Sequence, residues 1–226
     1  MTERCGMGNE TFRRQTAGVF DERAGEYDAW FEGSLLFAIE RAALQELTTP
    51  LASPKLEVGV GPGRFAEALG VEFGIDPALS PLQFAKKRGV QVCQAEGESL
   101  PYGGRSMGTV LLLFTYCFLA DPIPVLRECR RVLKPGGHVV LGLIVADSPW
   151  GRMLQQKKEA GHPFYRQARF YDPAEVEQNL IGCGFSVEER RSVLGQPPEA
   201  LREMEHSQPG LVSQAGFAIL AAGVAQ

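Results

Sequence analysis

Leu56-Glu57-Val58-Gly59-Val60-Gly61-Pro62-Gly63-Arg64-Phe65 is the stretch whose reading decides the fold. An apolar, β-branched run meets three glycines at alternate positions, then opens into a helical pattern with Phe65, Ala66 and Leu69 on one side. Glycine permits positive φ and omits the Cβ atom that would hold a ligand away from the backbone. A strand feeding such a loop, which in turn feeds a helix, is a cradle for a nucleotide or nucleoside cofactor. The same glycines also serve loops that merely turn a corner, so the surrounding chain has to decide.

Downstream the chain alternates strand and helix. Strands are expected at 72–76, 90–95, 109–114 and 138–145, the third apolar throughout as a strand covered on both faces should be. Helices are expected between them, one capped by Ser80 with Pro81 at its first position and another opened by Asp121-Pro122. Lys134-Pro135-Gly136-Gly137 is a turn, proline stopping the helix and glycine supplying positive φ. Repeated βα units of this length predict an α/β fold, a doubly wound and mostly parallel sheet with helices on both faces. A final pair, Phe185–Glu189 and Gly216–Val224, closes it with an antiparallel last strand and makes seven strands.

Upstream, residues 11–32 read as a helical arm with Phe12, Val19, Phe20, Tyr27, Trp30 and Phe31 among charges. Ser34 caps a helix carrying Leu35, Leu36, Ile39, Ala43 and Leu47 on one face. Residues 146–171 break the βα pattern with Trp150, Met153, His162, Phe164, Tyr165, Phe170 and Tyr171, as an inserted lid or binding element does. Asp172-Pro173-Ala174-Glu175 is a capping box that opens the next helix. The chain therefore divides into an arm over 1–54, a cofactor-binding core over 55–145, the excursion over 146–171, and a closing helix and strands over 172–226.

At 226 residues the chain can bury one full core. A net charge of −4 argues against a nucleic-acid-coating surface. No apolar run approaches the roughly 20 residues that span a bilayer, and Met1 to Glu10 has no apolar signal-peptide core, so a cytoplasmic protein without a membrane partner is expected. The five cysteines show no CxxC spacing; Cys93, Cys117 and Cys129 lie in apolar patterns and read as small buried hydrophobes, and no metal site is expected.

Four signatures, in order, resemble the class I S-adenosylmethionine-dependent methyltransferases, specifically the small-molecule type related to the ubiquinone/menaquinone-biosynthesis enzymes. Glu57 through Gly63 is similar to the family's acidic residue followed by GxGxG; Asp76 ends the second strand where the family has a ribose-binding acid. Ala95-Glu96-Gly97-Glu98-Ser99-Leu100-Pro101-Tyr102 resembles its "GDAENLPF" stretch, and Leu133 through Gly137 its "LKPGG" turn. The likeness runs from about Phe20 to Val224 and implies S-adenosyl-L-methionine as cofactor, held by Tyr27, Glu57, Gly59, Gly61, Gly63, Asp76, Glu96, Gly97 and Phe114, with N-terminal aromatics closing over it. The chemistry agrees: a carboxylate at a strand end can accept both hydroxyls of a ribose diol, though an aspartate before Pro77 also suits a turn. Glu96 can accept from an adenine amine while the Gly97 N–H donates to the ring, and a charge at Glu57 inside a buried strand needs a partner.

Three positions depart from the family. Met107-Gly108 replaces a common "FD", Val60 and Pro62 stand where Cys and Thr are frequent, and Cys117-Phe118 replaces an "HH" that would supply acid/base groups. Methyl transfer from a sulfonium is an in-line displacement that chiefly needs alignment and exclusion of water, with a base only if the acceptor must lose a proton. Tyr116, His162 and Tyr165 are the candidate acid/base groups, and Tyr116, Phe164, Tyr165, Arg169 and Tyr171 the candidate acceptor-binding ones. The expected partner is a small-molecule methyl acceptor, the expected state a monomer or homodimer. An NAD(P)-dependent oxidoreductase and an inactive cofactor-binding subunit are the rival readings. Against the first, Arg64 stands where GxGxxG needs its third glycine.

Overall fold

The computed structural model describes residues 3–225, with side chains from Gly8 onward; Met1, Thr2, Gln226 and the Cys5 side chain lie outside the described residues. β1 (Lys55–Val58), β2 (Phe73–Asp76), β3 (Gln91–Gln94), β4 (Met107–Leu113), β5 (Leu133–Ile144), β6 (Phe185–Val193), β7 (Gln208–Pro209) and β8 (Phe217–Val224) form one sheet in the order β3-β2-β1-β4-β5-β8-β6-β7. β8 slots between β5 and β6 and runs antiparallel to both, as expected of the last strand. The two-residue β7 adds an eighth strand at the edge, from a polar stretch that carries no period-2 pattern. β6 also continues four residues past the expected Glu189.

Period-2 alternation sorts the sheet's side chains into two cores. Leu56, Val58, Val110, Leu112, Val139 and Leu141 pack on one face against α6 (Pro122–Val132) and α8 (Pro173–Gly182). Leu111, Leu113, Val140, Phe217 and Ile219 pack on the other against α3 (Leu35–Gln45), α4 (Arg64–Leu69) and α5 (Leu79–Lys87). That two-sided burial explains why β4 is apolar at every position.

Three of the four caps expected from the sequence are formed. Ser34, Asp121 and Asp172 accept from the N–H groups of Phe37, Ile123 and Ala174. Ser80 is not a cap: α5 begins at Leu79 after Ala78, and the Ser80 N–H donates instead to Asp21 Oδ1 at 2.6 Å. An acid from a distant helix does the work of a local cap, which sequence proximity cannot reveal. Nor does Glu175 close a capping box; its Oε1 pairs with Arg169 at 2.6 Å. The arm is two helices, α1 (Glu3–Glu22) and α2 (Ala24–Ala29), and the 146–171 excursion contains α7 (Pro149–Glu159), capped by Ser148. Cys129 is fully buried but Cys93 is exposed, because β3 is an edge strand with one face to solvent.

The third glycine of the opening stretch has a packing role. Gly63 caps α4 at φ 79°, and a Cβ there would lie 2.8 Å from both Cα and Cβ of Ala85 in α5. Gly63→Ala is expected to lose about 2–5 kcal/mol, the sum of left-handed strain and overpacking. A urea midpoint equal to that of the unmodified chain would overturn this.

Candidate functional site

Two cavities meet at the carboxyl ends of the strands. The first lies between the glycine loop, the ends of β2 and β4, and α1; it encloses ≈ 110 Å³ and is lined by Gly59, Gly61, Asp76, Glu96, Gly97 and Phe114 among others. The second, of ≈ 410 Å³, lies between α2, α3, α7 and the loop that follows α7, and is lined largely by aromatic rings. Phe20, Tyr27, Phe114 and Phe118 line both and form the partition.

The glycine loop builds the floor of the first cavity. Gly59 and Val60 donate to the Ile75 carbonyl at 2.8 and 2.9 Å, which carries the loop across the end of β2. Gly59 sits at φ 74°, and a Cβ there would fall 2.3 Å from Thr115 Oγ1. At Gly61 a Cβ would meet only Tyr27 Cε1, at 3.5 Å, so this backbone is open on its ligand side. Gly63 does not line either cavity.

Asp76 serves two elements. Its Oδ2 accepts the Gly61 N–H at 2.9 Å and its Oδ1 the Ala78 N–H at 2.8 Å, so it braces the loop and starts α5 while lining the cavity. Burial pushes its carboxyl up to about 6, against the pull of those two N–H groups. Glu57 lies behind the loop, 2% exposed, and its Oε2 is buried with no hydrogen-bond partner. Burial, and secondarily the nearby Asp76 charge, raises its carboxyl well above the usual range. Asp76 beside an open glycine backbone fits a ligand that brings a hydroxylated ring, whereas Glu57 lines neither cavity.

The arm closes this cavity from above. Arg13 in α1 pairs with Glu96 at 3.3 Å and Glu98 at 3.2 Å, and Phe20 packs edge-on against Tyr27 and Phe118. In α2, Asp28 is 6% exposed and binds two arginines: Arg64 Nε at 2.7 Å, Arg64 Nη2 at 2.8 Å and Arg88 Nη2 at 2.9 Å. Arg64, which broke the dinucleotide pattern, therefore anchors the arm to the helix after the glycine loop.

Phe114 is held at φ 58°, a rare left-handed conformation for a bulky side chain. Its N–H donates to the Gly142 carbonyl at 2.9 Å and its ring stacks on Phe217 at 5.0 Å, and these contacts fix it in the partition.

The sequence-expected acceptor residues divide. Phe164 and Tyr165 line the second cavity, and Tyr165 stacks on Trp30. Tyr116 is buried elsewhere, its hydroxyl accepting from Asn179 Nδ2 at 3.0 Å, and it packs with Tyr171 around a void of only ≈ 20 Å³. Arg169 is exposed, paired with Glu175 and stacked on the Tyr171 ring. His162 touches Trp30 and Tyr165 from outside the lining, and burial followed by the Lys157 charge lowers its pKa. Glu40 was missed. It is 5% exposed and lines the second cavity. The spacing held a signal: Glu40 lies four residues after Leu36 and four before Leu44, on the apolar stripe of α3.

A methyltransferase-domain family model matches residues 56–141. An uncharacterised protein of Mycobacterium tuberculosis is 45% identical over 203 residues, covering 88% of this chain and 71% of that one. The structure of a Thermotoga maritima S-adenosylmethionine-dependent methyltransferase, described as a possible histamine N-methyltransferase, superposes with a TM-score of 0.86 at 31% identity over 92% of this chain and 99% of its own. The CcbJ methyltransferase of Streptomyces caelestis shares the fold at 19% identity, with a TM-score of 0.65 over 92% of this chain and 98% of its own. With the cradle, the acid at the end of β2 and this likeness together, the chain belongs to the class I S-adenosylmethionine-dependent methyltransferases. It is an enzyme of that class, and S-adenosyl-L-methionine is its cofactor. Among the described residues no helix is long and apolar enough to cross a membrane.

Proposed function

We propose that the first cavity takes S-adenosylmethionine and the second a small-molecule methyl acceptor, with transfer through the partition they share. The observation that carries this reading is the meeting of the two cavities at Phe20, Tyr27, Phe114 and Phe118. The volume of the second, ≈ 410 Å³, is within the range of small-molecule sites, about 300–1,000 Å³.

When bound, the cofactor supplies an activated methyl group on a sulfonium. Asp76 would accept the ribose hydroxyls, Glu96 and the Gly97 N–H would hold the adenine, and the Gly59–Gly61 backbone, with Glu57 behind it, would face the amino-acid end. Gly63 supports the cradle by letting α4 and α5 approach. The residues of the partition exclude water and set the approach line of the acceptor. Burial holds the hydroxyls of Tyr27 and Tyr165 protonated far above neutrality, and pushes the Cys117 thiol up to about 12. None of these three is a base at pH 7. We place the protein in the cytoplasm as a monomer or homodimer, a state that light scattering measures directly.

The test is thermal unfolding with S-adenosylmethionine, S-adenosylhomocysteine, NAD and NADP in separate wells. At 100 times its dissociation constant a ligand of the folded state stabilises by about 2.7 kcal/mol. A rise in the transition with the two adenosyl-sulfur compounds alone is the expected result; a rise with NAD would sink the reading.

A further inference from the structure

The second cavity carries one carboxylate, Glu40, and one lysine, Lys157, in a wall that is largely aromatic and apolar. Glu40 projects from the middle of α3, is 5% exposed, lines the cavity, and accepts no hydrogen bond and forms no ion pair among the described residues. A carboxylate taken from water without a partner is expensive, and such groups persist where a ligand supplies the counter-charge.

The other polar groups of the wall do not supply it. Ser34 Oγ already accepts the Phe37 N–H, Cys117 Sγ donates to the Phe114 carbonyl, and the Trp150 N–H is taken by the Gln196 carbonyl at 2.8 Å. Tyr27 and Tyr165 stay neutral through burial, Tyr165 also under the Glu40 charge, and so bring no counter-charge. Lys157 is the other charged residue of the lining; it is exposed on α7 and makes no ion pair with Glu40. His162, beside the wall, is held toward its neutral form. The rings of Trp30, Phe37, Trp150, Phe164 and Tyr165 line the same space. Aromatic faces around one carboxylate are the recognition chemistry of an alkylammonium, which gains cation–π attraction and a charge-assisted hydrogen bond together.

We propose that the methyl acceptor carries a protonated amine at a position other than the atom that takes the methyl group, and that Glu40 binds this ammonium within the aromatic cavity and so selects cationic amines over neutral and anionic molecules of the same size. The proposal rests on the reading of this cavity as the acceptor site. Burial raises the Glu40 carboxyl well above its usual range, and a cation seated against it is what restores the ionised form. With a neutral or anionic acceptor the carboxyl stays protonated and the charge-assisted hydrogen bond is not made. Glu40 is thus a specificity-determining residue.

The experiment is calorimetric titration of the full chain, saturated with S-adenosylhomocysteine, with 2-phenylethylamine, tryptamine, hexylamine and spermidine. The comparison ligands are 2-phenylethanol, hexanol and 3-phenylpropionate. Cofactor-product binding is measured first, in a separate titration. The expected result is that at least one amine binds about 30-fold or more tightly than its neutral isostere, as the loss of one partner of a buried charge pair implies. Glu40→Gln and Glu40→Leu should abolish that preference and leave S-adenosylhomocysteine affinity unchanged. Glu40→Asp should keep it at reduced affinity, separating charge from shape. A preference that survives in Glu40→Gln, tighter binding of alcohols or 3-phenylpropionate, or no amine binding at millimolar concentration would overturn the proposal while the transferase reading stands. Failure of S-adenosylhomocysteine itself to bind would overturn both.

Discussion

Asp76→Ala is expected to lower the affinity for S-adenosylhomocysteine by about a hundredfold or more. Two hydrogen bonds from ribose hydroxyls to an ionised carboxylate contribute about 1.5–3 kcal/mol each, and alanine removes both. The substitution also strips the Gly61 and Ala78 N–H groups of their acceptor, so the ligand-free protein should unfold at a lower temperature. Asp76→Asn keeps one acceptor and should fall between the two. The carboxyl is pushed up to about 6 by burial, and a ligand that binds the ionised form loses affinity as pH falls below that value. The limiting slope is about tenfold per pH unit for one group. Glu57, raised by the same burial and by the Asp76 charge, titrates in the same direction, and Asp76→Asn lowers its pKa as well. Isothermal titration between pH 5 and 8 makes the check. Affinity that is flat across that range, or unchanged in Asp76→Ala, would show that Asp76 only braces the glycine loop and the turn before α5.

The second large effect is on stability. Asp28→Ala should cost about 2–4 kcal/mol, because it leaves the Arg64 and Arg88 guanidiniums without their shared partner where their side chains are only 18% and 16% exposed. The upper end applies if the arm and core unfold together. The lower end applies if α2 detaches alone, since solvent then reaches both arginines. Burial works against the Asp28 carboxylate, but the Arg64 and Arg88 hydrogen bonds prevail and hold its pKa below the usual range. Its stabilisation is therefore complete above the ordinary carboxylate pKa and is lost as pH falls through the depressed value. Urea midpoints at pH 7, with proteolysis of the arm as the local readout, decide the matter. Unchanged midpoint and cleavage in Asp28→Ala would mean that the aromatic contacts of Phe31 with Phe37 and Phe65 hold the arm by themselves.

How much of this was legible in the chain depends on the reach of each signal. The strand of 55–58, its three glycines, the caps at Ser34, Asp121 and Asp172, and the two-sided burial of β4 are all written within a few residues of where they act. Period 2 and period 3.6 are local properties, and turn and cap chemistry are more so. From them follow the α/β class, the doubly wound sheet and the position of the cradle. Phe164 and Tyr165, which the sequence marks as candidates for acceptor binding, line the second cavity.

Tertiary structure alone decided which side chains share a space. Tyr116 and Tyr171 turned into their own small cluster and Arg169 to solvent, since loop residues have no period to aim them. Asp21 capping α5, Asp28 joining two arginines, and β8 entering between β5 and β6 each join segments far apart in the chain. Glu40 shows the division most plainly. Its place on the apolar stripe of α3 is visible in the sequence, but whether a charge there meets solvent, a partner or a cavity is set by α2, α7 and the loop that follows, because burial is a property of the assembled surface and a residue's own neighbours along the chain do not determine it.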